Sequence, residues 1–216
     1  MGATHVIPTW KRALDLAVAG PLSVLTLPII GGVAIANRLG GDAGPLIYRA
    51  TRIGEGGREI EVFKLRTMVT DGAGPALTQR DDPRITRVGR FLRRHKLDEL
   101  PQLWNVVRGE MSLVGPRPED PSFIDWSDPL HQAVFTARPG ITGLAQLAYA
   151  REEELHVGDS ALDLYRERIL PQKLRLDRWY LDHRALRLDA RILARTGAIV
   201  LGIPRPRWTR GRRVPE

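Results

Sequence analysis

The sequence predicts an α+β fold, mostly helical: an N-terminal re-entrant (helix-break-helix) membrane hairpin, then a compact domain with a short β-hairpin and amphipathic interfacial helices. Three stretches carry this. Residues 16–36, LAVAGPLSVLTLPIIGGVAIA, hold no charged side chain. Residues 46–67 read as strand, Gly-rich turn, strand. Residues 160–201 repeat apolar positions at helical spacing.

Taking the chain in order, residues 1–15 are short and polar-basic, with Lys11-Arg12 just ahead of the apolar run. About 21 uncharged residues at 1.5 Å each give roughly 30 Å of helix, the thickness of a bilayer core. Gly20-Pro21, Pro28 and Gly31-Gly32 interrupt it, and basic residues flank both ends: Lys11 and Arg12 before, Arg38, Arg49 and Arg52 after. A straight spanning helix would put one basic cluster outside, against the cytoplasmic preference of Lys and Arg. A break at Pro28 would return both ends to one face, each arm about one leaflet deep. The backbone groups freed there need partners such as the Ser23 and Thr26 hydroxyls. Asp15 is expected to pair with Arg12 one turn earlier. The spanning helix stays open beside the re-entrant reading.

After Leu39 the chain turns soluble. LIYRATRI and EIEVFKLRT flank Gly54-Glu55-Gly56-Gly57, with apolar positions at Ile60, Val62 and Leu65, the pattern of a hairpin. Residues 70–83 form a polar loop with Gly and Pro, of the kind that covers a site. Residues 84–96 suit a helix with Ile85, Val88 and Leu92 on one face and arginines on the others. Leu100, Leu103, Trp104 and Val107 suit another. MSLVGPRP reads as a short strand followed by a loop that fixes Arg117 between two prolines. RPGITG has the composition of a turn. The helical pattern of residues 160–201 is split by Pro171, and its last part carries Leu186, Ile192, Leu193, Ile199 and Val200 against an Arg-rich face. Such faces often lie on membranes. The basic tail PRPRWTRGRR suits anionic lipid.

Asp98 and Glu99 stand between Arg90, Arg93, Arg94 and Lys96 on one side and Arg108 and Arg117 on the other. The Leu100-Pro101 that follows predicts a helix start, because Pro is tolerated in a first turn. Helix N-termini favour carboxylates and phosphates. Taken alone, the pair reads as structural; its alternative is phosphoryl chemistry, one carboxylate attacking phosphorus and the other holding a cation.

Composition narrows the classes. In 216 residues, 27% are charged and 43% hydrophobic, which is globular. Net charge +8 points to a polyanionic partner. No nucleic-acid recognition motif accompanies that charge, and aromatics are only 6%. With no Cys there is no disulfide, thiol nucleophile or thiolate metal site.

Read together, KRALD before an apolar segment with Pro28, GPLIYRATRIGEGG, FKLRTM, DPRITRVGRFLRRHKLDELPQLWNVVRGEMSLVGPRP, RPGITGLAQ and LDRWYLDH resemble the bacterial sugar transferases. These small monotopic phosphoglycosyl transferases act on polyprenol phosphate. The resemblance covers nearly all of residues 11–201 and reverses the reading of the acid pair. It implies a two-step transfer of sugar 1-phosphate from a UDP-sugar to polyprenol (undecaprenyl) phosphate, with release of UMP. Asp98 matches the nucleophile and Glu99 the acid associated with Mg²⁺. Lys64, Arg93 and Arg117 match basic positions around the phosphates, and Asp177 a late acidic position near the site. It implies further a protein of the bacterial inner membrane, monotopic, with its catalytic domain on the cytoplasmic face, in contact with membrane lipids and admitting a homodimer, but binding no nucleic acid. The expected division is 1–39 membrane-embedded, 40–203 catalytic and 204–216 a basic tail. An inactive membrane-anchored scaffold is the alternative. Two departures stand out: Leu27 replaces the usual Ser before Pro28, and LAYARE replaces the Gly-Arg continuation after PGITGLAQ.

Overall fold

A computed structural model describes residues 7–40, 44–69, 82–149 and 161–203. Most of the loop expected at 70–83 and all of the tail at 204–216 lie outside the described residues.

The uncharged run forms two helices, α1 (Thr9–Leu25) and α2 (Leu27–Leu39), bent by 42° at their junction. Neither is long and apolar enough to cross a membrane alone; together they are, by length and composition. The break falls at Thr26 rather than at Pro28, which occupies the first turn of α2. The reason is local: a proline lacks the N–H that would reach back one turn, so the interruption precedes it and Pro28 starts the new helix. Pro21, by contrast, is carried inside α1. The Ser23 hydroxyl donates to the Gly20 carbonyl at 2.7 Å and that of Thr26 to the Ser23 carbonyl at 3.1 Å, as the sequence suggested for this segment.

One stripe of the bent rod faces inward: Lys11, Asp15, Ala19 and Ser23 at four-residue spacing, then Thr26, Val33 and Asn37. The opposite face exposes Leu16, Leu22, Val24, Leu25, Leu27, Ile29, Ile35 and Leu39. The expected Arg12–Asp15 pair is replaced by stronger tertiary partners. Arg12 donates to the Val106 and Val107 carbonyls at 2.6 and 2.9 Å, and Asp15 accepts from Ser112 Oγ and the Leu113 N–H at 3.0 and 2.9 Å. Lys11 is sealed against Asp189 at 2.5 Å.

The hairpin is as read: β1 (Ile47–Ile53) and β2 (Glu59–Leu65) pair antiparallel from Ile47 opposite Leu65 to Ile53 opposite Glu59. Helix α3 (Arg87–Arg94) is capped by Thr86, whose hydroxyl accepts from the Gly89 N–H. Gly89 is obligatory by contact, since a Cβ there would sit 2.1 Å from the Thr67 carbonyl oxygen. Then come α4 (Gln102–Arg108), β3 (Ser112–Val114), α5 (Pro129–Phe135), β4 (Gly140–Thr142) and α6 (Leu144–Ala148). RPGITG is therefore a strand, not just a turn: β4 pairs parallel with β3, Ser112 opposite Gly140 and Val114 opposite Thr142.

Pro171 does not split the late helix. A five-residue π turn, Tyr165–Ile169, joins α7 (Ala161–Leu164) to α8 (Leu170–Asp182), and the wider turn absorbs the proline. The break comes instead before α9 (Leu186–Val200). The main core joins Ala19 of α1, Val62 of β2, Leu103 and Val106 of α4, Leu113 and Val114 of β3, Tyr180 and Leu181 of α8, and Ile192 of α9.

Candidate active site

The hairpin's pleat sets the first side of the site. Val62 is fully buried, and a period of two puts Lys64 on its face, with Arg52 opposite Ile60 on the neighbouring strand. Asn105 of α4, itself fully buried, fixes the strand in place. Its Oδ1 accepts from the Phe63 N–H at 3.1 Å and its Nδ2 donates to the Glu61 carbonyl at 2.7 Å.

The acid pair does not open α4. Asp98 and Glu99 lie on a separate 3₁₀ turn, Leu97–Glu99, ahead of it. Lys96 before this turn has φ 57°, the one non-glycine among the described residues in the left-handed region. Such a conformation costs about 1–2 kcal/mol and is held by its surroundings.

The GPRP loop supplies the third side. The Gly115 N–H donates to the Thr142 carbonyl and the Gly140 N–H to the Pro116 carbonyl, at 2.9 and 2.8 Å, so the loop is riveted to β4. A small polar cleft opens between these parts, lined by Arg52, Lys64, Glu99, Gln102 and Arg117 among others. Asp98, next to Glu99 and within reach of the Lys64 charge, is 9% exposed, with Oδ1 sealed and lacking a hydrogen-bond partner.

Charge follows burial. Desolvation, reinforced by Glu99, pushes the Asp98 carboxyl above its ordinary range, while Lys64, Lys96 and Arg93 draw it back. Desolvation lowers Lys64, helped by Arg117 and Arg52 and opposed by Glu99 and Asp98.

Of the residues singled out by sequence, Lys64, Glu99 and Arg117 meet in the cleft and Asp98 adjoins it. Arg93 is set back, its Nε donating to Thr67 Oγ1 at 2.8 Å, near enough to act on Asp98 by charge. Asp177 lies behind the wall, 2% exposed, its Oδ2 accepting from the Arg117 N–H at 3.1 Å. Pro28 is not among the residues that line the cleft. Sequence reasoning passed over Arg52, Gln102, Asn105, Glu119 and Lys173. Strand alternation from Val62 could have found Arg52. The four-residue step from Lys173 to Asp177 on the apolar face of α8 could have marked that pair as buried.

Comparison with known proteins gives this geometry a context: the model of the family described as "Bacterial sugar transferase" matches residues 6–202. The chain belongs to that family. Over 191 residues it is 42% identical to a UDP-glucose:undecaprenyl-phosphate glucose-1-phosphate transferase of Caulobacter vibrioides, covering 86% of this chain and 67% of that protein. It is 37% identical over 216 residues to a UDP-galactose-lipid carrier transferase of Erwinia amylovora, with 92% and 42% covered. A third relative, from Aeromonas hydrophila, is a UDP-N-acetylgalactosamine-undecaprenyl-phosphate N-acetylgalactosaminephosphotransferase, 34% identical over 196 residues, with 88% and 43% covered. The chain thus spans from under half to two thirds of the length of these sugar transferases.

Proposed function

We propose that this chain transfers sugar 1-phosphate from a UDP-sugar to undecaprenyl phosphate through a covalent intermediate on Asp98. The observation that carries this is the convergence of three cations, Arg52, Lys64 and Arg117, on a cleft whose wall holds Glu99 and whose floor adjoins Asp98. The names of the relatives differ in sugar but share a UDP donor or a lipid acceptor.

A carboxylate oxygen of Asp98 attacks the β-phosphorus, the bond to the bridging oxygen breaks, and its electron pair leaves with UMP. A phosphate oxygen of the lipid then attacks the same phosphorus, and the Asp98–phosphorus bond breaks to restore the carboxylate. A carboxylate needs no base at neutral pH. Arg52, Lys64 and Arg117 bind the phosphate oxygens, with guanidinium forks suited to paired contacts. Asp98, mostly buried at rest, has to turn its carboxylate into the cleft.

The acid pair also fits Mg²⁺. The sealed Asp98 Oδ1 lacks a partner, and Glu99 stands on the cleft wall. Magnesium takes one or two carboxylates and fills its other positions with water and substrate phosphates. Glu99 would hold the ion, whose charge would offset that of the diphosphate.

The α1–α2 segment enters one leaflet and returns, holding the module at the cytoplasmic face of the membrane. Both arms support this by packing on the same module: α1 through Lys11, Arg12 and Asp15, and α2 through Val33 against Leu65 and Leu92. A 42° bend makes a shallow V. With arms of about 25 and 20 Å, its apex lies only about 7–9 Å below its ends, shallower than a full leaflet.

The test is UMP release by the detergent-solubilised chain with Mg²⁺, undecaprenyl phosphate and, in turn, UDP-glucose, UDP-galactose and UDP-N-acetylgalactosamine. At least one donor should support release, and Asp98→Asn should abolish it. Undiminished turnover by that variant would end the covalent mechanism.

A further inference from the structure

The cleft provides for the phosphates of a UDP-sugar and assigns nothing to its base. The hairpin face that carries Lys64 has one more large side chain. Tyr48 of β1 stands directly opposite Lys64 of β2, as Ala50 stands opposite Val62 and Arg52 opposite Ile60. Residues paired across antiparallel strands project to one face, with Cβ atoms about 4.5–5.5 Å apart. Arg52, Val62 and Lys64 line the cleft, so the cleft follows this row of pairs. Tyr48 ends the row beside Lys64, 54% exposed.

The chain has four tyrosines, and three of them use their hydroxyl groups. Tyr149 donates to Gln172, Tyr165 to Glu119 and Tyr180 to Asp189. Among the described residues Tyr48 has neither a side-chain hydrogen bond nor a ring contact. An aromatic ring left open in this way has a flat apolar face to offer. Its place suits a base. Lys64 is foremost among the cations that favour the Asp98 carboxylate, so a β-phosphorus under attack by Asp98 comes close to Lys64. In a UDP-sugar the uracil lies one ribose beyond the α-phosphate, on the side away from the transferred sugar. Arg52 and Tyr48 are four residues apart on β1, about 14 Å at the rise of a strand. The Arg52 end is closed by its bond to Asp120 at 2.8 Å, whereas the Tyr48 end is open.

We infer that Tyr48 is a base-stacking residue: its exposed ring receives the flat face of uracil while Lys64 beside it holds the diphosphate. This rests on the cleft being the UDP-sugar site, as proposed above. Stacking uses the face of a base and not its edge, so the ring of Tyr48 matters and its hydroxyl does not.

The experiment is calorimetric titration of the detergent-solubilised full chain, in Mg²⁺, with UDP and with inorganic pyrophosphate, which carries the phosphates without the base. Tyr48→Ala should weaken UDP binding about tenfold or more, as removal of a base-stacking ring does, and leave pyrophosphate within about twofold of the parent. Tyr48→Phe should bind both ligands as the parent does. Lys64→Ala should weaken both about tenfold, the scale of one charge-assisted contact. If Lys64→Ala leaves both unchanged, the cleft is not a phosphate site and both readings fall. If Lys64→Ala weakens both while Tyr48→Ala weakens neither, the stacking role is overturned and the cleft stands. Equal weakening of UDP and pyrophosphate by Tyr48→Ala would also overturn it, because the ring would then be shaping the phosphate site. So would loss of Tyr48→Ala from vesicles of anionic phospholipid with UDP affinity intact, which would make the ring an anchor at the membrane interface. Thermal midpoints of the Tyr48 variants should stay within about 2 °C of the parent, as expected at an exposed position.

Discussion

Replacing Asp177 by Asn should flatten the pH dependence of stability between pH 5 and pH 8. Burial pushes this carboxyl from its ordinary 3.8 to about 7. Glu119 adds to the rise, while the Arg117 and Ala145 N–H groups and the Lys173 charge oppose it. An acid raised in the folded state holds its proton there after the unfolded chain has lost it. Stability is therefore full below about pH 4, falls as pH climbs to about 7, and stays reduced above. The interval from pH 5 to 7 spans two units, about 3 kcal/mol at 1.36 kcal/mol per unit. For a chain of this size that is about 8 °C in thermal midpoint. Glu119, Asp82 and Asp120 are held low, so their titration falls below this window. Asp98 is raised, but it is common to both proteins and cancels. Asn keeps an oxygen for the Arg117 N–H and removes only the charge. Melting both proteins at pH 5 and pH 8 in one detergent should show the parent losing about 8 °C more than the variant. Parallel losses would refute the buried, proton-holding carboxyl.

Two further outcomes follow from the packing. Gly89→Ala should destabilise by about 2 kcal/mol, as overpacking does, because its Cβ would meet the Thr67 carbonyl oxygen at 2.1 Å and push α3 off the strand end that anchors Arg93. Unchanged melting and UMP release would show that α3 does not need that approach. Deleting residues 1–39 should leave a chain without cooperative melting, since Ala19 leaves the main core and Asp189 loses Lys11; a sharp transition in the truncated protein would show the first helix to be dispensable to the fold.

The parts of this molecule that were legible in sequence are those whose signal is local. Gly54–Gly57 between alternating strands gave the hairpin with its limits nearly right, and the uncharged run gave the paired helices. The unread parts depend on distant partners. β4 has three residues, too few for a period, and is a strand only because β3 lies beside it. Glu119 and Lys173 look like ordinary surface charges until the fold brings α8 behind the GPRP loop. Lys11 and Arg12 looked like a basic flank for the membrane, yet one neutralises Asp189 and the other caps the carbonyls ending α4. In the cleft the residue types were readable, but which acid would be buried was not.

That last point has a geometric answer. The acids lie on the 3₁₀ turn at Leu97–Glu99, which advances about 120° per residue. Side chains one position apart then face different surroundings, Asp98 buried within reach of the Lys64 charge and Glu99 on the cleft wall. The left-handed Lys96 sets the chain into this turn, and its strain is the local cost of separating the pair. Two adjacent carboxylates thereby come to occupy unlike environments, one desolvated and beside the cleft, the other open to phosphate and cation. Unlike environments are what let chemically identical groups divide a reaction between them. The roles proposed for Asp98 and Glu99 thus depend on how this turn is seated against the cleft as much as on the residues.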